Sequence, residues 1–192
     1  AQQGDWTVKQ LGLGISLLAG RPRIGADPVE VEVARAESGA AQIRILTPRS
    51  AFEQRSAKVT QLKSAIPDGL AMRDFADLSG AVAVLAGGYV ASFSPVQPLG
   101  YVRSGSRVSS RSHQSWLVDA MLCANWRDFE LGLFDALYPK RDSYADCLQI
   151  GPMVVLNGKR YFGGGNLSSA ATKLLKAKQR QGFVCRDGAG DV

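Results

Sequence analysis

Cysteine, histidine and long apolar runs are scarce in this chain, and each scarcity removes a class of function. Three cysteines stand among 192 residues, at Cys123, Cys147 and Cys185. They are too few for a disulfide scaffold, and they lack the paired spacings that build a zinc site. No metal site is expected, and no cofactor is called for. The longest apolar runs, such as Ala81 to Ala86, are strand-sized and fall well short of the roughly 18 to 20 residues that a membrane helix requires. No helix-turn-helix, zinc-finger or RNA-binding signature accompanies the basic residues, so nucleic acid is an unlikely partner. Internal repeats and an interdomain linker are also lacking.

What is present is the composition of a globular protein. A hydrophobic fraction of 45% with 21% charged residues separates the chain from disordered polymers, which are poorer in apolar groups. The net charge of +6 and pI near 9.4 favour an anionic partner. The first residues, Ala1-Gln2-Gln3, carry no initiator methionine and read as the product of signal-peptide cleavage, so a periplasmic or secreted protein is expected. For an exported basic protein, phosphate-bearing envelope polymers are the fitting partners. In such a compartment one disulfide and one buried thiol is the simplest accounting.

Residues 6–18 alternate and predict an opening strand, or a pair broken at Gly14. Val29, Val31 and Val33 share one face of a strand, and residues 41–47 repeat the pattern, which predicts a hairpin. Asp68 caps a predicted helix to Leu78 that Gly80 stops. Ala81 to Ala86 reads as a strand covered on both faces. Residues 102–115 form a loop or weak hairpin rich in Ser and Arg. Residues 116–125 alternate again, residues 129–137 are apolar enough to pack beside them, and a strand runs from Cys147 through Gly151-Pro152 to Leu156, where Asn157-Gly158 supplies the positive φ angles of a tight turn. A second helix is predicted up to Arg180, its cationic end matched to the helix dipole, and a strand at Phe183 to Arg186 closes the chain. The whole predicts an α+β domain, a twisted and largely antiparallel sheet with two principal helices. Residues 1–24 form an N-terminal strand segment and residues 25–192 the domain proper. Cys147 and Cys185 fall on strands expected to be neighbours, and so are the expected disulfide pair.

Three segments carry the functional signal: Leu85-Ala86-Gly87-Gly88-Tyr89, then Pro98-Leu99-Gly100, and then Gln149-Ile150-Gly151-Pro152-Met153-Val154-Val155-Leu156-Asn157-Gly158-Lys159. In that order they resemble the phosphodiester glycosidase family, whose domain removes N-acetylglucosamine from phosphate. The resemblance covers residues 25–192, and the Gly-Pro hairpin is its most specific element. It implies hydrolysis or binding of a sugar linked through its anomeric carbon to phosphate, without an assigned metal. Two departures stand out. Ala86 occupies the place where the family carries asparagine, and the family's later Asp-Gly-Gly-x-Ser segment would fall beyond Val192, so a second chain completing the domain is one expectation. Binding of a phosphorylated sugar with little or no turnover follows from these losses. A non-catalytic envelope polysaccharide-binding or structural protein is the alternative.

From the residues themselves, Gly87 and Gly88 allow close approach of a ligand to backbone amides, and Tyr89 can stack on a sugar ring. Read without the family, the glycine pair is first of all a tight turn or bulge that needs positive φ. With Gln149 and Gly151, these residues are expected to line one cleft, the strand ending at Ala86 lying beside the Gly151-Pro152 strand. Arg103 and Arg107, with Arg111 nearby, offer guanidinium forks for phosphate oxygens. Glycoside cleavage commonly uses two carboxylates. Asp146 is the first choice, with Asp119 and Asp187 as further candidates, and His113 is suited to acid or base work.

Overall fold

The computed structural model describes residues 6–24, 27–37, 39–48, 50–51, 71–93, 96–125, 128–161 and 182–186. Its architecture is α+β, with antiparallel sheets and short helices. The contacts group into two compact units, residues 1–42 with 184–192, and residues 43–183.

In the first unit, β1 (Trp6–Gly12), β2 (Ile15–Gly20) and β5 (Val31–Ala36) make a three-stranded antiparallel sheet in the order β1-β2-β5. The two-residue strands β3 (Arg23–Ile24) and β4 (Asp27–Pro28) pair with each other. Gly14 turns β1 into β2 at φ 70°. The Trp6 indole lies so close over Gly20 that a Cβ there would meet the ring at 2.6 Å. The expected partner for the strand at 29–34 was the segment 41–47, but β5 pairs with β2 instead. Residues 42–47 form no strand. The main chain of Ile45 is satisfied by side chains: its N–H donates to Asp146 Oδ2 at 3.3 Å and its carbonyl accepts from Ser104 Oγ at 2.7 Å.

The second unit is built on a five-stranded antiparallel sheet in the order β11-β10-β12-β8-β9. Its strands are β8 (Val102–Ser104), β9 (Arg107–Ser110), β10 (Ala120–Ala124), β11 (Phe129–Leu133) and β12 (Asp146–Ile150). The region 102–115, read as a loop or weak hairpin, holds the β8–β9 hairpin. Every residue of β10 is buried, because β11 and β12 flank it. Tyr101, Met121, Cys123, Phe134, Leu137 and Cys147 form the core cluster, with Tyr138 and Tyr144 packed on it. The chain after β11 turns into α2 (Phe134–Leu137) and a 3-10 segment, Tyr138–Ser143, where Tyr138 stacks on Phe134 at 4.6 Å.

Two further hairpins attach to this unit, β6 (Tyr89–Phe93) with β7 (Val96–Leu99), and β13 (Val155–Leu156) with β14 (Lys159–Arg160). The second turns at Asn157 and Gly158, with φ of 52° and 71°, as the Asn-Gly pair requires. Helix α1 spans Met72–Ser79 and ends on Gly80 in the left-handed conformation, where the absence of a Cβ removes the steric cost. Its expected cap, Asp68, lies outside the described residues, as does the helix expected up to Arg180. Ala81 to Ala86 forms no strand, contrary to expectation, and Val82, Ala83, Leu85 and Ala86 are exposed. An apolar run signals a wish for burial but cannot supply a ladder partner.

The disulfide joins Cys123 to Cys147, which corrects the expected Cys147–Cys185 pair. β12 lies between β10 and β8, so the residue facing Cys147 across β10 is Cys123. Cys185 is a free, exposed thiol, not the buried one expected. No described helix is long and apolar enough to cross a membrane.

Candidate functional site

β12, which begins the third quoted segment, is reached by the other two at successive residues, Leu148 and Gln149, whose side chains leave opposite faces of the strand. A Cβ on Gly87 would come within 2.7 Å of Leu148 Cδ2, and one on Gly88 within 3.6 Å of Leu148 Cδ1. Gly100, at φ 101°, lies against Gln149, where a Cβ would stand 3.0 Å from Oε1. Gly151 closes the strand at φ 153°, and a Cβ there would lie 2.8 Å from Leu117 O and 2.9 Å from Asp119 Oδ1. The bond from Gly151 to Pro152 is cis. Glycine is therefore required at Gly100 and Gly151 by both conformation and space. Gly87 and Gly88 are exposed, and Tyr89 is half-buried with its phenol pKa pushed above the ordinary value by burial.

Gln149 is buried and fully engaged. Oε1 accepts from Tyr101 N–H at 2.9 Å and His113 N–H at 3.1 Å, while Nε2 donates to His113 O at 2.6 Å and Val118 O at 2.7 Å. One amide thus grips the main chain of His113 from both sides, as a neighbouring strand would. The His113 residue itself is exposed. Every hydrogen-bonding position of this amide is used within the protein.

Asp146 is equally committed. Its Oδ2 accepts from Arg44 Nε at 2.6 Å and from Ile45 N–H, and its Oδ1 accepts from Gly105 N–H at 2.7 Å. The side chain is buried, so the carboxylate staples the 44–45 segment to the β8–β9 turn. Arg44 was not among the residues singled out from sequence, because a pairing over about a hundred residues leaves no local signal.

Arg103 spends its guanidinium on Asp142 Oδ1 at 2.7 Å, Gly105 O at 3.1 Å and Arg141 O at 3.5 Å. Arg107 and Arg111 are exposed on β9 and the segment after it. Asp187 lies outside the described residues. Among the described residues no group of three or more His, Cys, Asp or Glu side chains could hold a metal ion.

Asp119, the carboxylate ranked behind Asp146, has the more unusual setting. Its Oδ1 accepts from Met153 N–H at 2.7 Å, beyond the Gly151-Pro152 turn. Its Oδ2 is buried and, among the described residues, is the one side-chain N or O atom so buried without a hydrogen-bond partner. Burial pushes the carboxyl pKa up from 3.8, against the lowering effect of the Met153 and Asp119 N–H groups. Sequence offered no signal for this ordering of the carboxylates, since burial of a single oxygen depends on which turn packs over it.

Set beside known proteins, the chain matches no family model, no curated protein and no solved structure.

Proposed function

We propose that this chain binds, or acts on, a sugar linked through its anomeric carbon to phosphate, as an exported protein with a phosphodiester-glycosidase-like site. The observation that supports the reading is that two distant glycine segments pack on the strand that leads into the third, Gly87 and Gly88 against Leu148 and Gly100 against Gln149. These are the segments on which the resemblance rests, and their spacing along the chain gives no local reason for them to meet. Exposed glycines leave backbone amides open to anionic oxygens, and the basic balance of the chain draws anionic ligands.

Binding without turnover, as in an envelope polysaccharide-binding or structural protein, is favoured over catalysis by one observation. Asp146, the first candidate for acid or base, has both oxygens occupied by Arg44, Ile45 and Gly105. The deciding experiment titrates the protein calorimetrically with glucose 1-phosphate and N-acetylglucosamine 1-phosphate. A parallel assay measures free sugar released from a sugar 1-phosphodiester. Binding that Gly88→Val weakens supports the reading. Absence of both binding and release refutes it.

A further inference from the structure

We propose that β1 is a docking edge for a second copy of this chain, the two β1 strands pairing antiparallel about a two-fold axis at Val8 and joining the three-stranded sheets of both copies into one. The inference stands on the first unit alone and does not rest on the functional reading above.

β1 lies at the end of the order β1-β2-β5, so among the described residues one side of its backbone has no ladder partner. An edge in that state is a template for another strand. Every residue of β1 except Leu11 is exposed, so the strand lies open to solvent. The edge is also lightly guarded. Charge, proline or a bulge commonly blunts an edge, but from Trp6 to Gln10 the one charge is Lys9 and there is no proline, and the register shift falls later, between Gln10 and Gly12. The opposite edge of the sheet, β5, carries Glu32 and Arg35.

The face that this edge extends is apolar. Val8 stands opposite Leu18, and Leu18 opposite Val33, which makes one cross-strand row. Trp6, Gly20 and Val31 form the row beside it. Much of the face meets water, with Val8 60% exposed, Trp6 41% and Val33 38%. Pairing about Val8 sets the two apolar rows end to end, Val8 against Val8, while Thr7 faces Lys9 of the second copy and Trp6 faces Gln10 of the second copy. Charge and overlap select this register. An axis at Lys9 would set two ammonium groups directly opposite each other, which is destabilising. An axis at Thr7 would leave only residues 6–8 of β1 in the pair. The surface is therefore complementary to itself, as a two-fold interface requires. A strand pair this short buries less than the roughly 1,200 Å² at which standard interfaces begin, so the dimer is weak and governed by concentration.

The test is sedimentation equilibrium of the full chain over a concentration series, in a Cys185→Ser background that removes the exposed thiol. The chain is expected to be monomeric at low micromolar concentration and to dimerise as it approaches about 1 mM. Val8→Lys places like charges at the axis and is expected to abolish the dimer at the same concentrations. Its circular dichroism should match the parent, because the position is exposed. Val8→Cys is expected to give a covalent dimer on mild oxidation, since directly opposed Cβ atoms lie about 4.5–5.5 Å apart. Lys9→Cys is expected to stay unlinked, because its counterpart in the second copy falls outside the roughly 7 Å Cα limit for a disulfide. A dimer lost in Val8→Lys and linked by Val8→Cys alone supports the proposal. A chain that stays monomeric up to about 1 mM overturns it, and so does a dimer that Val8→Lys leaves intact, that Val8→Cys fails to link or that Lys9→Cys links instead.

Discussion

Cys123 and Cys147 face each other directly across β10 and β12, their Cα atoms 4.1 Å apart, and are joined by a disulfide. The bond closes a sequence separation of 24 residues that contains β11, α2 and the 3-10 segment, and both sulfurs lie in the core cluster. Removing it with Cys123→Ser is expected to cost about 2–4 kcal/mol, chiefly by freeing the unfolded chain. Denaturant unfolding of variant and wild type measures this. Thiol titration of the native protein is expected to find Cys185 alone, and three reactive thiols without reductant would contradict the pairing.

Asp146 joins three segments through one carboxylate. Asp146→Ala leaves Arg44 Nε and two backbone N–H groups, of Ile45 and Gly105, without their acceptor. Arg44 is 30% exposed and keeps access to water, so the cost is mainly that of the stranded N–H groups, about 1–3 kcal/mol each when buried, and a clear drop in the urea midpoint is expected. If Asp146 instead served only chemistry, the variant would fold with unchanged stability.

Gln149 and Gly100 form a matched pair. Replacing the amide by the similarly sized Gln149→Met strands the buried main-chain groups of Tyr101 and Val118, each worth about 1–3 kcal/mol when unpaired, and releases the main chain of His113. The amide protons of Tyr101 and His113 should then exchange with solvent much faster than in wild type. Gly100→Ala is expected to disturb the same contacts from the other side, because the new Cβ meets Gln149 and the backbone sits at φ 101°.

Asp119 predicts a pH dependence of definite sign. Its folded pKa is raised above 3.8 by burial, so the folded chain holds the proton more tightly than the unfolded one. The stability it contributes is fully present below 3.8 and is lost as pH rises through the higher folded value. Asp119→Asn, which stays neutral, is expected to flatten that part of the stability profile. An identical slope in wild type and variant would show that the group titrates normally.

Local chemistry was enough to determine several features of this protein. The Asn157-Gly158 turn and the stop at Gly80 each follow from backbone preferences over a few residues, and β10 falls within a segment read from its alternation, with β11 in the apolar stretch expected to pack beside it. The α+β class follows from the same patterns. Tertiary structure decided the rest, because those outcomes depend on which distant segments pack together. The apolar run 81–86 reads as a strand, yet forms none. Residues 42–47 alternate like a strand, yet Ile45 is bonded by Asp146 and Ser104 instead. Strand order made Cys123 rather than Cys185 the partner of Cys147. Packing also reordered the carboxylates, sealing Asp146 with three donors and leaving one oxygen of Asp119 buried without any among the described residues. Charge and residue type are written at a position, but desolvation and hydrogen-bond supply come from neighbours tens of residues away.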